Sequence, residues 1–524
     1  MQFINSFANF IFHLFPPGAM DLLANASLPN SGRAFKVFSK IKPKVFEYYS
    51  GKKMLFMFRK AARSVPAYKK FLQSQNVDLS EINSIEDFDK LVPRTTKENY
   101  IKAYSLSDRC VNGEFPQKGS FEESSGSSGT STLWIRSLEE ERYTMALMKA
   151  SLLHLYGFRE EDNFIVLNCF LLGGWTGGLR FASRISTLAC VRNIGPDPVR
   201  VINCIKELGS GYTFLISGYP PFIVELIEFG KNLGNFDWKD YRIDIFAGGE
   251  GFVEEWREYT SSHLRLGALI FSDYGAIDLD VGISVETPFT VALRKLINND
   301  TKLRKEVIGS ERSPCFIGQC SPQQYYVRET INEIGIKELE ITVMNLRSVS
   351  PNIKYVIGDE GGIIRFHELC IKLEKAGYPV TKIKHDFNIP VIIPFPVVYL
   401  YGRIDGTVSI NGALISPSEI YKAILADPEL VSAINTFKLS TDSDTDNFIK
   451  LKIFLETRKN VQITESLEAK CSDVLIKRLL ESNECFRTGF SKNPTVHKPV
   501  ISIIPFGTGI FKDKNSTVKN VYTK

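Results

Sequence analysis

Apolar and polar positions along the chain fall into two rhythms. From Lys52 to Tyr100 apolar residues recur at helical spacing between charged ones, and Ala61, Ala62, Val65, Tyr68 and Phe71 form one face. Ser84-Ile85-Glu86-Asp87 reads as a helix start with acids in its first turn, and Pro93 breaks the pattern. Leu138 to Tyr156 is again amphipathic. Short apolar runs then alternate with helical stretches: strand Phe164 to Leu167, helix near Val199 to Leu208, strand Thr213 to Ile216, helix Phe222 to Leu233, strand Ile243 to Phe246. Leu269-Ile270-Phe271-Ser272-Asp273 is one more strand, ending in a polar loop. This alternation predicts α/β layers on a largely parallel sheet. Toward the C-terminus the rhythm changes. Phe448 to Leu455 alternates as a half-buried strand does, Leu467, Cys471, Val474, Leu475 and Leu479 fall at helical spacing, and Val500 to Ile504 reads as a strand. These predict a compact α+β unit.

The breaks in these rhythms carry the candidate chemistry. Glu123 to Thr132 holds five Ser, two Gly and two Thr with no apolar residue until Leu133. Glycine opens backbone conformations closed to other residues, and hydroxyls add donors beside backbone N–H groups, so such a loop can wrap a phosphate chain. It is not a Walker loop, because GxxxxGK[ST] is absent. A flexible Gly/Ser linker is the competing reading. Further glycine-rich breaks follow strands at Gly173 to Gly178 and at Ala247-Gly248-Gly249-Glu250-Gly251. Acidic turns are expected at Tyr274-Gly275-Ala276-Ile277-Asp278, at Lys354 to Gly362, and at Gly402-Arg403-Ile404-Asp405-Gly406. Glycines at strand ends let a ligand approach the backbone, where open α/β sheets bind.

Composition narrows the picture. At 524 residues the chain is too long for one simple core, and 44% hydrophobic with 23% charged residues is ordinary globular composition. A net charge of +5 is small for this size and does not argue for nucleic acid. The nine cysteines are scattered without a CxxC, which fits reduced thiols in a cytoplasm. The spacing of Cys315, Cys320, His367 and Cys370 is irregular for zinc, so ordinary roles are preferred. Met1 to Leu14 is an apolar helical stripe (Phe3, Ile4, Phe7, Phe10, Ile11, Leu14) with no basic n-region, and it is too short to span a bilayer. A helix docked on its own protein is preferred to membrane contact through residues 1–14. The Lys/Arg pairs of Lys40 to Lys44 and Lys52 to Arg63 are read as solvated helix faces.

From about Ser64-Val65-Pro66-Ala67-Tyr68 to the C-terminus, the order and separation of these breaks resemble the adenylate-forming, acyl-CoA synthetase superfamily. Within it the sequence is most similar to the phenylacetate-CoA ligase and CapK-like branch. Ser124 to Thr132 resembles the family's phosphate loop, and Gly248-Gly249-Glu250 its adenine-side loop. Tyr274 to Asp278 resembles the YGxTE loop, Gly358-Asp359 the pair that holds the ribose hydroxyls, and Gly402-Arg403-Ile404-Asp405 the GRxD hinge. Asp278 stands for the usual Glu at Mg²⁺, Ile277 for a hydroxyl residue and Thr130 for a common Lys. An insert between Asp359 and Arg403 carries a helical pattern (Leu369, Leu373, Ala376) and a Pro-rich run from Pro390 to Pro396.

The resemblance implies an α/β protein in which a large N-terminal AMP-binding domain of layered sheets and helices, residues 1–401, precedes a small α+β lid, residues 402–524. It implies ATP and Mg²⁺ as cofactors, a small-molecule carboxylate as substrate, and CoA or a carrier protein as possible acceptor. Nucleotide contacts fall to Ser124, Ser125, Gly126, Ser127, Ser128, Gly129, Thr130, Gly249, Glu250, Tyr274, Gly275, Asp359 and Arg403. Lys519, Asp278 and Arg403 are the catalytic candidates, with Lys512 and Lys514 as alternatives to Lys519; Asp278 is the metal ligand and Asp405 the hinge. The expected reaction is activation of the carboxylate as acyl-AMP with release of pyrophosphate, then transfer to a thiol such as CoA. The alternatives are transfer to an amine, a hydroxyl or a carrier protein, AMP transfer, or a nucleotide-binding homologue without catalysis.

Overall fold

A computed structural model describes residues 39–124, 132–158, 163–170, 172, 176–249, 251–332, 335–404, 408–410, 413–415, 417–443, 449–483, 486–487, 490–491 and 494–512. The N-terminal apolar stripe lies outside them. Among the described residues no helix is long and apolar enough to cross a membrane.

Three helices come first: α1 (Pro43–Ser64), α2 (Pro66–Ser74) and α3 (Ile85–Leu91). Prolines open α1 and α2 where the missing N–H is harmless, and a Ser84–Asp87 capping box starts α3. The lysines of α1 are not all solvated as the sequence suggested. Lys53 is buried and donates to the Gln323 carbonyl at 2.7 Å, and Lys60 donates to the Leu346 carbonyl at 2.7 Å. They tie the helix to a distant part of the chain. The hairpin β1 (Gly119–Ser124) and β2 (Thr132–Ser137) follows, and then α4 (Leu138–His154), opened by a Ser137–Glu140 capping box.

The main body is an eleven-stranded sheet. Its first half follows the predicted alternation: β3 (Phe164–Asn168), α5 (Thr176–Ile185), β4 (Cys190–Asn193), α6 (Pro198–Leu208), β5 (Thr213–Gly218), α7 (Pro220–Lys231), β6 (Arg242–Ala247), α8 (Glu254–His263) and β7 (Ile270–Ala276). These five strands are parallel, in the order β7-β6-β5-β3-β4. Their near-continuous apolar runs pack between α5, α6, α7 and α8 in one core that includes Val166, Leu215, Ile245 and Trp256.

The second half is antiparallel, which corrects the expectation of a largely parallel sheet. After β7 come β8 (Asp280–Val285), α9 (Pro288–Asn299), α10 (Thr301–Ile308), β9 (Phe316–Cys320), β10 (Tyr325–Ile331), β11 (Lys337–Val343) and β12 (Tyr355–Ile364). Then α11 (Phe366–Lys375) and α12 (Val380–Asp386) form the insert before β13 (Val397–Arg403). The order runs β10-β11-β12-β13-β9-β8-β7, all antiparallel. β10, β11 and β12 follow one another without a helix and pair in sequence, so hairpins suffice there. Strand β7 is the pivot: residues Ile270 to Ser272 pair parallel with β6, and Asp273 to Ala276 pair antiparallel with β8.

Beyond β13 the chain adds a two-stranded ladder of β14 (Val408–Ile410) and β15 (Ala413–Ile415), α13 (Pro417–Leu425), α14 (Pro428–Ala433), β16 (Ile434–Ser443), β17 (Ile449–Thr457), α15 (Glu465–Ser482) and β18 (Val500–Ile504). β16-β17-β18 is a separate sheet with its own core, in which Leu439, Ile453, Cys471 and Leu475 are buried. Val431 belongs instead to the core of the parallel half, with Tyr421 and Leu425 packed against it. Lys422 approaches Glu255 of α8 at 3.9 Å.

Candidate active site

The motif residues gather where β7 changes partners. Tyr274 is buried on β7, and its hydroxyl donates to Asp359 Oδ2 at 2.7 Å. Asp359 lies within β12, not in a solvated turn as its Gly358 and Gly361-Gly362 neighbours suggested. Three strands separate β7 from β12 in the sheet order, so the antiparallel half must coil to bring these side chains together. Arg403 pairs opposite Asp359 across β12 and β13. Its side chain lies outside the described residues.

Asp278 sits in the β7–β8 turn, 8% exposed. Its Oδ2 accepts from the Tyr355 hydroxyl at 2.7 Å, and its backbone carbonyl accepts from Asn352 Nδ2 at 2.6 Å. Arg136 Nη2 holds the neighbouring Ile277 carbonyl at 3.0 Å. Tyr355 and Asp359 belong to one strand, so the metal and ribose candidates share a scaffold. Mg²⁺ needs only one or two carboxylates when phosphates and water complete its shell. A single oriented carboxylate at Asp278 fits that demand, although among the described residues no group of three or more His, Cys, Asp or Glu could form a cage.

The Gly/Ser loop is the connection of the β1–β2 hairpin, closed by the Ser124–Thr132 pair. Ser125 to Thr130 lie outside the described residues, as do Glu250, Asp405, Lys514 and Lys519, and so does the Ser124 side chain. Gly249 is described, with φ +81°. Gly275 is exposed at the end of β7. Lys512 is exposed beyond the turn Gly509–Phe511, where Lys438 of β16 donates to the Ile510 carbonyl at 3.1 Å.

Two buried ion networks, invisible as local patterns, hold these loops. Arg180 of α5 makes contacts of 2.8 Å and 2.9 Å to the two oxygens of Glu122 on β1, 2.5 Å to Glu141 and 2.8 Å to Asp280. Arg184 joins Glu141 at 3.1 Å and Asp280 at 2.9 Å. The hairpin that carries the Gly/Ser loop is thereby fixed to the start of β8. Burial alone would raise the Asp280 carboxyl, but Arg184, Arg180 and Arg136 hold it well below the usual carboxylate range. In the second network Glu286 Oε1 receives Arg257 at 2.6 Å and Arg294 at 2.8 Å, while Glu254 pairs with both arginines at 3.0 Å. Both guanidiniums also lie over the Phe252 ring. Phe252 and Glu254 follow the Gly248–Gly251 break, so this quartet anchors the segment that leaves it.

Asp273 stands apart from both networks. Burial pushes its carboxyl up to about 7, partly offset by Arg184. A carboxyl raised from 3.8 binds a proton in the folded state that the unfolded chain releases. Its contribution to stability is therefore full below about pH 4 and is lost as the pH rises through about 7. Asp273→Asn is expected to melt at a higher temperature than wild type at and above neutral pH, with the difference vanishing in acid. Thermal melts across that range check this, and a pH-independent difference would contradict it.

No known protein-family profile matches the chain, and no curated protein sequence matches it. Solved structures do. It aligns with 2-hydroxyisobutyryl-CoA ligase in the postadenylation state with R3-HIB-AMP over 91% of this chain and 89% of that one, at TM-score 0.60 and 14% identity. The same ligase with 2-HIB-AMP gives 91% and 88% coverage, TM-score 0.57 and 15% identity. Its complex with 2-HIB-AMP and CoA in the thioesterification state gives 90% and 88%, TM-score 0.51 and 15% identity. The chain therefore has the adenylate-forming acyl-CoA ligase fold, a large α/β part followed by a C-terminal domain.

Proposed function

We propose that the protein activates a carboxylic acid with ATP and then passes the acyl group to a thiol such as CoA, as a phenylacetate-CoA ligase-like or CapK-like enzyme of the cytoplasm. The observation that carries this is the Tyr274–Asp359 hydrogen bond from the pivot strand to β12, with Asp278 held by Tyr355 of the same β12. In this reading a substrate carboxylate oxygen attacks the α-phosphorus of ATP, the bond to the β-phosphate oxygen breaks, and pyrophosphate leaves. A thiol then attacks the acyl carbonyl and AMP leaves. The substrate is its own nucleophile, so the protein's part is to position reactants and neutralise charge. Asp359 accepts from the ribose hydroxyls, with Tyr274 orienting it and Arg403 across the ladder. Ser124 to Thr130 wrap the phosphates, and Gly249 and Glu250 border the base. Asp278 would hold Mg²⁺, which supplies positive charge at the phosphates. Lys519 brings a cation to the α-phosphate from the C-terminal domain, residues 402–524, which turns about Asp405 relative to residues 1–401 between the two half-reactions.

The half-reactions test this assignment separately. Lys519→Ala is expected to lose adenylation yet consume a supplied acyl-AMP. Asp405→Pro fixes φ at the hinge and is expected to keep pyrophosphate exchange while losing acyl transfer. Loss of the same step in both folded variants contradicts a lid with two positions. A fully active Lys519→Ala moves the cation to Lys512 or Lys514.

A further inference from the structure

Asp273 and Tyr274 are neighbours on β7 and point to opposite faces of the sheet, as consecutive strand residues do. Tyr274 faces Asp359. Asp273 faces the other side, at the C-terminal ends of the parallel strands, where ligands of open α/β sheets bind. A Cβ added to Gly248 would stand 3.3 Å from Asp273 Oδ1 and 3.1 Å from the Phe170 ring, and one added to Gly282 would stand 3.7 Å from Oδ2. At Gly282 the backbone itself favours glycine, with φ +85°. No positive φ accounts for Gly248, so there the missing side chain matters for the space it leaves before the carboxylate. Phe170 packs edge-on against Phe181 and Tyr219, which gives that space an apolar wall.

The charges around it leave Asp273 over. Arg136, Arg180 and Arg184 are matched by Glu122, Glu141 and Asp280 through contacts of 2.5 to 3.9 Å. Asp273 is a fourth carboxylate, and among the described residues no side chain donates to it. Arg184 acts on it only at longer range while bonding Glu141 and Asp280. The residue remains partly open to solvent, so a ligand can reach it. A largely enclosed carboxylate with no donor beyond its own backbone N–H is costly unless something supplies another. An apolar wall with one convergent polar group is how small-molecule sites fix orientation.

We propose that the acid activated by this protein carries a hydrogen-bond-donating substituent, a hydroxyl or an ammonium, which docks on Asp273 between Gly248 and Gly282. This rests on the acyl-AMP reading, with the nucleotide on the Tyr274–Asp359 face and the acyl chain on the Asp273 face. Dicarboxylic acids are disfavoured, because Asp273, the carboxylate left over, would repel a second one.

The test uses pairs of carboxylic acids, over a range of chain lengths, that differ only in a hydroxyl or amino group replaced by methyl. Pyrophosphate exchange and equilibrium binding are measured on wild type, Asp273→Asn and Asp273→Ala. Wild type is expected to prefer the donor-bearing member roughly ten- to a hundredfold. Asp273→Ala should bring the ratio near one while ATP affinity is kept. Asp273→Asn should weaken amino acids more than hydroxy acids if the donor is an ammonium, and both similarly if it is a hydroxyl. Equal use of both members by wild type, or a preference that survives in Asp273→Ala, overturns the inference and leaves adenylation standing. Absence of both binding and exchange with every acid overturns the two together.

Discussion

Asp359→Ala is expected to weaken ATP binding roughly a hundredfold, about 3 kcal/mol, in a protein that still folds. The reasoning starts from β12. Asp359 is 7% exposed, and its carboxylate is oriented by the Tyr274 hydroxyl at 2.7 Å. Two ribose hydroxyls donating to one oriented, poorly solvated carboxylate make charge-assisted bonds, which are stronger than neutral ones. Removing the carboxylate leaves the ribose donors and the Tyr274 hydroxyl without their acceptor. Tyr274→Phe removes only the orienting bond and should weaken binding less. Calorimetric titration with ATP and a melting curve for each variant check the pair. An Asp359→Ala protein that binds ATP as wild type does removes the ribose assignment. A Tyr274→Phe effect larger than that of Asp359→Ala would mean that Tyr274 itself is the principal contact.

Glu286→Ala is expected to destabilise the fold by about 3–5 kcal/mol. Glu286 is fully buried and receives both Arg257 and Arg294. Its removal leaves two buried guanidiniums with Glu254 as their one remaining carboxylate in the quartet. Breaking one partner of a buried network is far worse than replacing the whole network with apolar residues. The damage has a direction, because Arg294 also donates to the Phe252 carbonyl and Arg257 to the Ile270 carbonyl. The segment after Gly248–Gly251 and the start of β7 should loosen together, so ATP affinity should fall along with stability. Denaturant unfolding and ATP titration measure both. A loss under about 1 kcal/mol with normal ATP binding would show that aromatic packing at Phe252 and Trp256, not the ion quartet, holds this loop.

Much of the parallel half was legible because its elements are contiguous and apolar. Helix α4 and strands β3, β5 and β6 lie within a residue or two of where their patterns placed them, and β18 spans Val500–Ile504 as read. Strand direction was not legible, since helices still separate β8 from β9 and β12 from β13 although both pairs are antiparallel, and nothing local distinguishes such a return from a parallel crossover. β12 was misread as a turn for a specific reason. Its Gly361 and Gly362 serve close packing, where an added Cβ would stand 2.2 Å from the Tyr399 carbonyl oxygen and 2.3 Å from its hydroxyl. The ribose and metal candidates were visible as short motifs. The arginine networks were not, because Arg180 and Arg184 read locally as the polar face of a helix and find partners 39 to 100 residues away. Asp273 did leave a signal: an acid in the otherwise apolar run of a strand, one residue before Tyr274.

The most direct measurement of the central claim is exchange of labelled pyrophosphate into ATP, with Mg²⁺ and a broad panel of carboxylic acids. Exchange needs a reversible acyl-AMP step and nothing after it, so it does not depend on knowing the acceptor. The account predicts exchange that requires both the acid and Mg²⁺, and that is lost with Asp359→Ala. ATP binding without exchange for any acid in the panel would contradict the account and leave a nucleotide-binding protein without the adenylating activity.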